Sequence, residues 1–479
     1  MNKRRSVILL EFNELAQPLM QRFMREGRLP NFQRLYGESQ VYVTDAEERA
    51  PYLNPWIQWI TVHSGLPYSE HGIFHLGDGH KLGKKCLWDV ANDAGLKSWV
   101  CGSMNIRYDR PMNGWILPDP WTVEARPCPE TLNRYFKFVQ THVQEHTNER
   151  VPLTVGDYLG FLGFMAGHGL SAATVAAVVR QLVSERMDGT RWKRATIMDK
   201  LQFDLFRWYH RKERPNLCAF FLNSTAHFQH MYWREFEPEH FKVKPSAEER
   251  MKYRDAILFG YQEMDRLLAR FYELVDENTT LVFVTGFSQQ PCLAYEDQGG
   301  KSFYRPRDLG QFVKFAGVTA AFSVSPVMSE QFHIFFQDEG EARKAFELLR
   351  SLRVDGKPAL HLDCKGAAVF AGCSIFEALG RDAVLTKGAA GEKAPFFEVF
   401  YQVEGMKSGM HHPDGMLWIR HPDCSHRVHD RKVPLTDIAP TILSILDLRK
   451  PPHMRGTALD RDGSCEGRRV ANPPELAQA

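Results

Sequence analysis

Charge of one sign is what this chain has least of: 60 basic residues stand against 58 acidic ones. That balance removes any argument from bulk charge for nucleic acid or an acidic membrane surface, so an anion site would have to be local. Long apolar runs are missing as well, and no stretch approaches the roughly 20 residues that span a bilayer. The first apolar run breaks at Glu11, too soon for the core of a secretory leader. Paired cysteines are also lacking. The nine present, Cys86, Cys101, Cys128, Cys218, Cys292, Cys364, Cys373, Cys424 and Cys465, form no Cys-x-x-Cys and no regular framework, the usage of a reducing compartment. Together these absences predict a cytoplasmic protein with no transmembrane segment, no nucleic-acid partner and no internal repeat.

What is there begins with Val7-Ile8-Leu9-Leu10, a short apolar run that ends in Glu11, Asn13 and Glu14. Such a run suits a strand buried on both faces of a parallel sheet. Ligands of open α/β sheets sit beyond the carboxyl ends of the strands, which puts those polar residues where chemistry is expected. Further strands of the same kind are predicted at Val41–Val43, Ser98–Cys101, Leu217–Leu222, Leu281–Thr285 and Met416–Ile419. The fold class that follows is α/β, a mostly parallel sheet flanked by helices.

The core is expected to run in three pieces, 1–117, 216–321 and 396–460. Between the first two, residues 118–215 read as wholly helical, and the stretches Gly156–Leu170 and Ala172–Val183 are apolar on most faces. A helix apolar nearly all round needs cover, either by packing on the core or as a lid over a lipid-like substrate. A small α+β insertion is predicted over 322–395, and a polar, disordered tail over 461–479.

Five stretches then fall in order: the first strand with Gly27-Arg28-Leu29-Pro30-Asn31-Phe32; Trp59 to Ile73; Thr225 to Trp233; His411 to Gly415; and Asp437 to Leu443. In these the chain resembles the alkaline phosphatase superfamily, specifically its type I phosphodiesterase/nucleotide pyrophosphatase group. The resemblance implies two metal ions, usually zinc, at the carboxyl edge of the sheet, activating a Thr or Ser nucleophile. Paired cations neutralise phosphate oxygens and generate an alkoxide at neutral pH. Position by position, most of that set is missing here. The first-strand Asp falls on Asn13, the nucleophile on Asn54 or Pro55, and the first ligand of the Asp-x-x-x-His motif on Ala226. Gly286-Phe287-Ser288-Gln289 stands where Ser-Asp-His-Gly is expected. His230 and His411 are the remnant ligands, so no conventional metal site is expected and zinc or another divalent ion should bind weakly at best.

The resulting expectation is a protein acting on a phosphorylated or anionic substrate without two zinc ions. His230 or His411 would serve as general acid or base, Asn13 and Asn54 would donate hydrogen bonds, and Glu11 would stand at the same edge. Thr225, Gln289, Lys301, Arg305 and Arg307 are the candidate substrate contacts, the three cations as an anion clamp. Asn54, just before Pro55, is either a site residue or a plain helix N-cap, and position alone favours the cap. The alternative is a pseudoenzyme that binds a small molecule, a glycolipid or a partner protein, the last through 118–215. His63, His71, His75 and His80 match no zinc spacing and are expected to be structural or surface residues.

Overall fold

The first strand, β1 (Ser6–Phe12), is buried along almost its whole length, and the rest of the molecule is layered around it. The computed structural model describes residues 5–122, 125–148, 153–327, 329–388, 391–403, 405–423 and 425–459; the tail expected at 461–479 lies outside them. Along β1, Ile8, Leu10 and Phe12 enter one apolar cluster, while Val7 and Leu9 enter another. This alternation is the period of two that a strand imposes. The sheet is therefore covered on both faces.

The other strands of the main sheet, with a separate two-stranded pair, are β2 (Gln40–Asp45), β3 (Ser98–Cys101), β4 (Gly114–Leu117), β5 (Leu217–Leu222), β6 (Thr279–Val284), β7 (Ser288–Pro291), β8 (Gly409–His412), β9 (Asp414–Arg420) and β10 (Arg427–Pro434). The eight-stranded sheet runs β10-β2-β9-β6-β1-β5-β3-β4. β1 is parallel to β5 and to β6. β9 alone runs against its neighbours β2 and β6. β7 and β8 form a separate antiparallel pair. The α/β class with a mostly parallel sheet holds.

Local chemistry sets the helix that follows the first crossover. Gly27 has φ +70, a left-handed turn that glycine takes without steric cost, and Pro30 opens the helix Pro30–Gly37. Its exposed N–H groups are met from across the chain. Asp265 accepts from the backbone N–H of Asn31 at 2.9 Å and of Phe32 at 2.8 Å, and from Asn31 Nδ2 at 2.7 Å. A carboxylate at a helix N-terminus satisfies orphan donors and opposes the macrodipole.

Between β4 and β5 the chain forms the helices Asn133–Asn148, Val155–Gly167, Ala172–Asp188 and Ala195–Glu213. Phe161, Phe164, Met165, Phe203 and Phe206 anchor this layer to the sheet. The opposite faces of the two middle helices stay in solvent: Leu159, Leu162, Val179, Leu182 and Val183 are among the exposed apolar residues. No helix among the described residues is long and apolar enough to cross a membrane. A second body holds the helix Glu339–Arg350 and two four-stranded sheets. Its apolar cluster starts at Tyr304 and ends at Phe400, so the unit is wider on both sides than the 322–395 expected from sequence. The extra residues are tied in by antiparallel pairing of Tyr304–Pro306 with Phe400–Gln402.

Candidate functional site

Three chain segments meet at the carboxyl end of β1. Asn13 continues the strand, donating its N–H to Leu222 O of β5 at 3.0 Å, and Glu14 donates to Thr285 O beyond β6 at 3.1 Å. Glu14 itself has φ +61, a conformation that costs a residue with a Cβ roughly 1 kcal/mol or more. That turn places the carboxylate at the sheet edge. From β5 the chain enters the helix Ser224–Phe236, with His230 in its second turn. The antiparallel β7–β8 pair sets His411 directly opposite Gln289. A side chain at Gly409 would collide with Gln229 O at 2.3 Å, so glycine is what lets this pair lie so close to the helix.

Around Glu14 the geometry closes. Its Oε2 lies 3.1 Å from His230 Nε2 and 3.4 Å from His411 Nε2, and accepts from Gln289 Nε2 at 2.6 Å. Its Oε1 accepts from Asn13 Nδ2 at 2.8 Å. Both imidazoles are fixed from behind: His230 Nδ1 is 3.0 Å from Gly409 O, and His411 Nδ1 is 2.7 Å from Leu53 O. A carbonyl only accepts, so each Nδ1 carries the proton and, in the neutral ring, each Nε2 presents a lone pair to the carboxylate.

Electrostatics keep this arrangement charged on the carboxylate. Burial works against the Glu14 charge, but the positive charge that His411 and His230 carry once protonated, the hydrogen bond His230 then donates and the one from Gln289 outweigh it and hold the carboxyl at about 2. Burial pushes His411 down to about 4, against the pull of Glu14. Burial, then the Lys407 ammonium, also lowers His230. At neutral pH the cluster is a carboxylate facing two unprotonated nitrogens. Lys407 is depressed by burial while Glu14 supports its charge and Lys301 opposes it. Among the described residues no lysine or arginine nitrogen reaches salt-bridge distance of Glu14.

The residues proposed from sequence divide sharply. His230, His411, Asn13 and Gln289 come together here. Asn13 is spent on structure: Trp59 Nε1 donates to its Oδ1 at 2.8 Å, and its Nδ2 reaches Asn223 Oδ1 at 2.8 Å as well as Glu14. Thr225 is buried beside them, with Oγ1 lacking a hydrogen-bond partner. Asn54 occupies the N-cap position of the helix Pro55–Ser64 without capping it by its side chain; its Nδ2 donates to Pro51 O at 2.7 Å. Glu11 points to the other face of the sheet, where it meets His63 Nε2 at 2.8 Å in full burial, so it is not part of the cluster.

The anion clamp needs correction. Arg305 is 1% exposed, and its Nη2 donates to Val327 O at 2.9 Å and Gln331 O at 3.3 Å inside the second body. Arg307 is exposed and bonds Phe397 O. The Lys301 ammonium packs over the Phe303 and Phe376 rings, and the cation that acts on the cluster is Lys407, which sequence reading missed. The backbones of Lys301 and Lys407 bridge, which no local spacing announces. Glu14 was placed at this edge from sequence but given no role there. Its signal was a carboxylate directly following the amide at the strand end.

The two-zinc set of the family does not fit these residues. Glu14, His230 and His411 are the only group of three or more ligating side chains that converges among the described residues. Where donors for a second ion would stand, the Asn13 amide is already bonded, and the fully buried Phe287 ring packs 5.0 Å from His411. The four other candidate histidines do not converge. His71 Nε2 bonds Thr61 Oγ1, His80 Nδ1 bonds Gly77 O, and His75 packs on Phe370.

Comparison with known proteins gives a family match and distant structural likenesses. The sequence model for type I phosphodiesterase/nucleotide pyrophosphatase matches residues 7–294, more than half of the chain. No curated protein matches the sequence. Among solved structures, murine ectonucleotide pyrophosphatase/phosphodiesterase 5 is similar at 12% identity and TM-score 0.40, covering 94% of this chain and 97% of that one. The human counterpart gives 12% and 0.41 over 95% and 97%. Phosphonoacetate hydrolase from Sinorhizobium meliloti 1021, in complex with phosphonoformate, gives 12% and 0.40 over 92% and 96%. On the sequence match, the chain belongs to the type I phosphodiesterase/nucleotide pyrophosphatase family, within the alkaline phosphatase superfamily.

Proposed function

We infer that the protein acts on a phosphorylated or otherwise anionic small molecule at the Glu14 edge, by a route other than two-zinc phosphoryl transfer. The observation that carries this reading is the convergence of His230 and His411 on Glu14, each with its Nδ1 held by a carbonyl. Burial keeps both rings unprotonated at neutral pH, so their Nε2 atoms are proton acceptors in place. Lys407, beside which Lys301 lies, supplies local positive charge that the whole-chain balance does not. Cysteine usage supports a reducing, cytoplasmic setting.

A panel of phosphodiesters, phosphomonoesters and sugar phosphates, assayed with and without added zinc, tests the reading. Turnover lost in His230→Gln supports it. No turnover on any member, with ligand binding unchanged by His230→Gln, overturns it. A second reading, a pseudoenzyme that captures a partner protein, is favoured by the exposed apolar face of the helices Val155–Gly167 and Ala172–Asp188. Paired Leu159→Glu and Leu182→Glu substitutions would abolish such capture while leaving the site intact.

A further inference from the structure

The Glu14 cluster has one property that hydrogen bonding alone does not explain. Glu14 Oε2 faces two imidazole nitrogens at 3.1 and 3.4 Å. Each ring's proton is committed to a backbone carbonyl on the far side. With Gln289 the one amide donor to that oxygen, the ligand atoms of Glu14, His230 and His411 lie within 4.8 Å of one another. Such a gathering of acceptors is relieved by a positive charge between them, a shared proton or a metal ion. The arrangement also has the outer support found around metal-ligating histidines, whose second nitrogen donates to a carbonyl and so fixes tautomer and ring orientation. The carboxylate is supported too, by Asn13 and Gln289.

We propose that Glu14, His230 and His411 hold one divalent transition-metal ion, with Glu14 replacing the carboxylates that positions 13 and 226 lack. Two imidazoles and one carboxylate with positions left open suit zinc, iron(II) or cobalt(II) better than magnesium or calcium, which prefer all-oxygen shells. The replacement is local and mechanical. The left-handed turn at Glu14 brings its carboxylate to the site. There Gln289 ties it to the helix, donating to Glu14 Oε2 and to Ala226 O. The open coordination positions would take an anionic group, with the Lys407 charge close by. The choice of an anionic ligand rests on the functional reading above; the ion itself does not.

The test uses tag-free full-length protein, stripped with chelator and reloaded with zinc or cobalt(II), then analysed for metal content and, for cobalt, visible absorption. One ion per chain is expected, with a cobalt spectrum that changes in His411→Gln. Glu14→Gln, which keeps the shape but exchanges one acceptor oxygen for a donor and removes the charge, should weaken zinc by about 100-fold or more, since loss of an outer partner alone costs 10–100-fold. His80→Ala, a surface control, should bind as the parent does. Circular dichroism shows whether a variant has folded, and His230→Gln replaces any that has not. Less than stoichiometric zinc, two ions per chain, or binding untouched by Glu14→Gln and His230→Gln overturns the proposal. One bound ion with no turnover on the phosphate panel supports the metal site and removes the enzymatic reading. Turnover without bound metal does the reverse.

Discussion

Glu11 is the residue on which sequence position and structure pull hardest apart, and its role can be measured. It sits at the ligand edge of β1, yet its carboxylate meets His63 Nε2 at 2.8 Å in full burial. Glu11 Oε2 and His63 Nδ1 have no hydrogen-bond partner. The His63 ring lies between Trp59 and Trp88, with centroids 5.8 and 4.7 Å away. His63→Leu strands a buried carboxyl group. The cost lies between about 1–3 kcal/mol for an unsatisfied polar group and about 3–5 kcal/mol for a broken buried ion pair. Taking about 3 kcal/mol, and an unfolding entropy near 2.1 cal/mol/K per residue, the melting temperature falls by roughly 3 °C. Glu11→Leu should cost a similar amount. The double variant, which removes both polar groups, should cost far less than the sum, with a coupling of about 2 kcal/mol or more. Urea unfolding of the four proteins is the assay. Additive losses, or a Glu11→Gln protein that folds normally but no longer binds any ligand of the site, would refute the assignment of Glu11 to the core.

Other expectations follow from the same geometry. Lys407→Met should weaken inorganic phosphate binding by about 10-fold, or about 1.4 kcal/mol, read by calorimetry. Arg305→Met should instead loosen the second body, because its guanidinium bonds buried carbonyls there; limited proteolysis would show cleavage between 304 and 400 with the site unaffected. Asp199, hydrogen-bonded by Ser224 Oγ, and Glu235 are both raised by burial to about 7. A raised carboxyl stays protonated in the folded chain while the unfolded chain ionises. Their contribution is thus complete below pH 4 and lost as pH rises through 7. The urea midpoint should fall over that window, and the Asp199→Asn/Glu235→Gln variant should flatten the fall.

Much of the architecture was legible because it is written in local periodicity. β1, β5 and β6 are continuous apolar runs, and such runs mean strands covered on both faces. The helices between β4 and β5 carry a pattern that no sheet could use. The edge of the second body was less legible, because Tyr304–Pro306 joins it by pairing with Phe400–Gln402, nearly a hundred residues on. At the site, His230 and His411 were readable from motif position. Glu14 was placed at the edge but Glu11 was given the role there, because the Glu14 side chain arrives through a left-handed backbone turn, and sequence alone gives no reason for a glutamate to adopt one. Arg305 was misjudged because three cations in one short loop look alike in sequence. Burial separates them: Arg305 is locked inside, Arg307 is exposed, and Lys301 packs over the Phe303 and Phe376 rings.

The central claim is that a phosphate-handling scaffold has exchanged a paired metal centre for a single site built on Glu14. The direct measurement is anomalous diffraction at the zinc edge from crystals of the zinc-loaded protein. The account predicts one peak, bounded by Glu14, His230 and His411, with Phe287 filling the neighbouring space. Two peaks, the second beside Asn13 and Asn54, would contradict it, as would none.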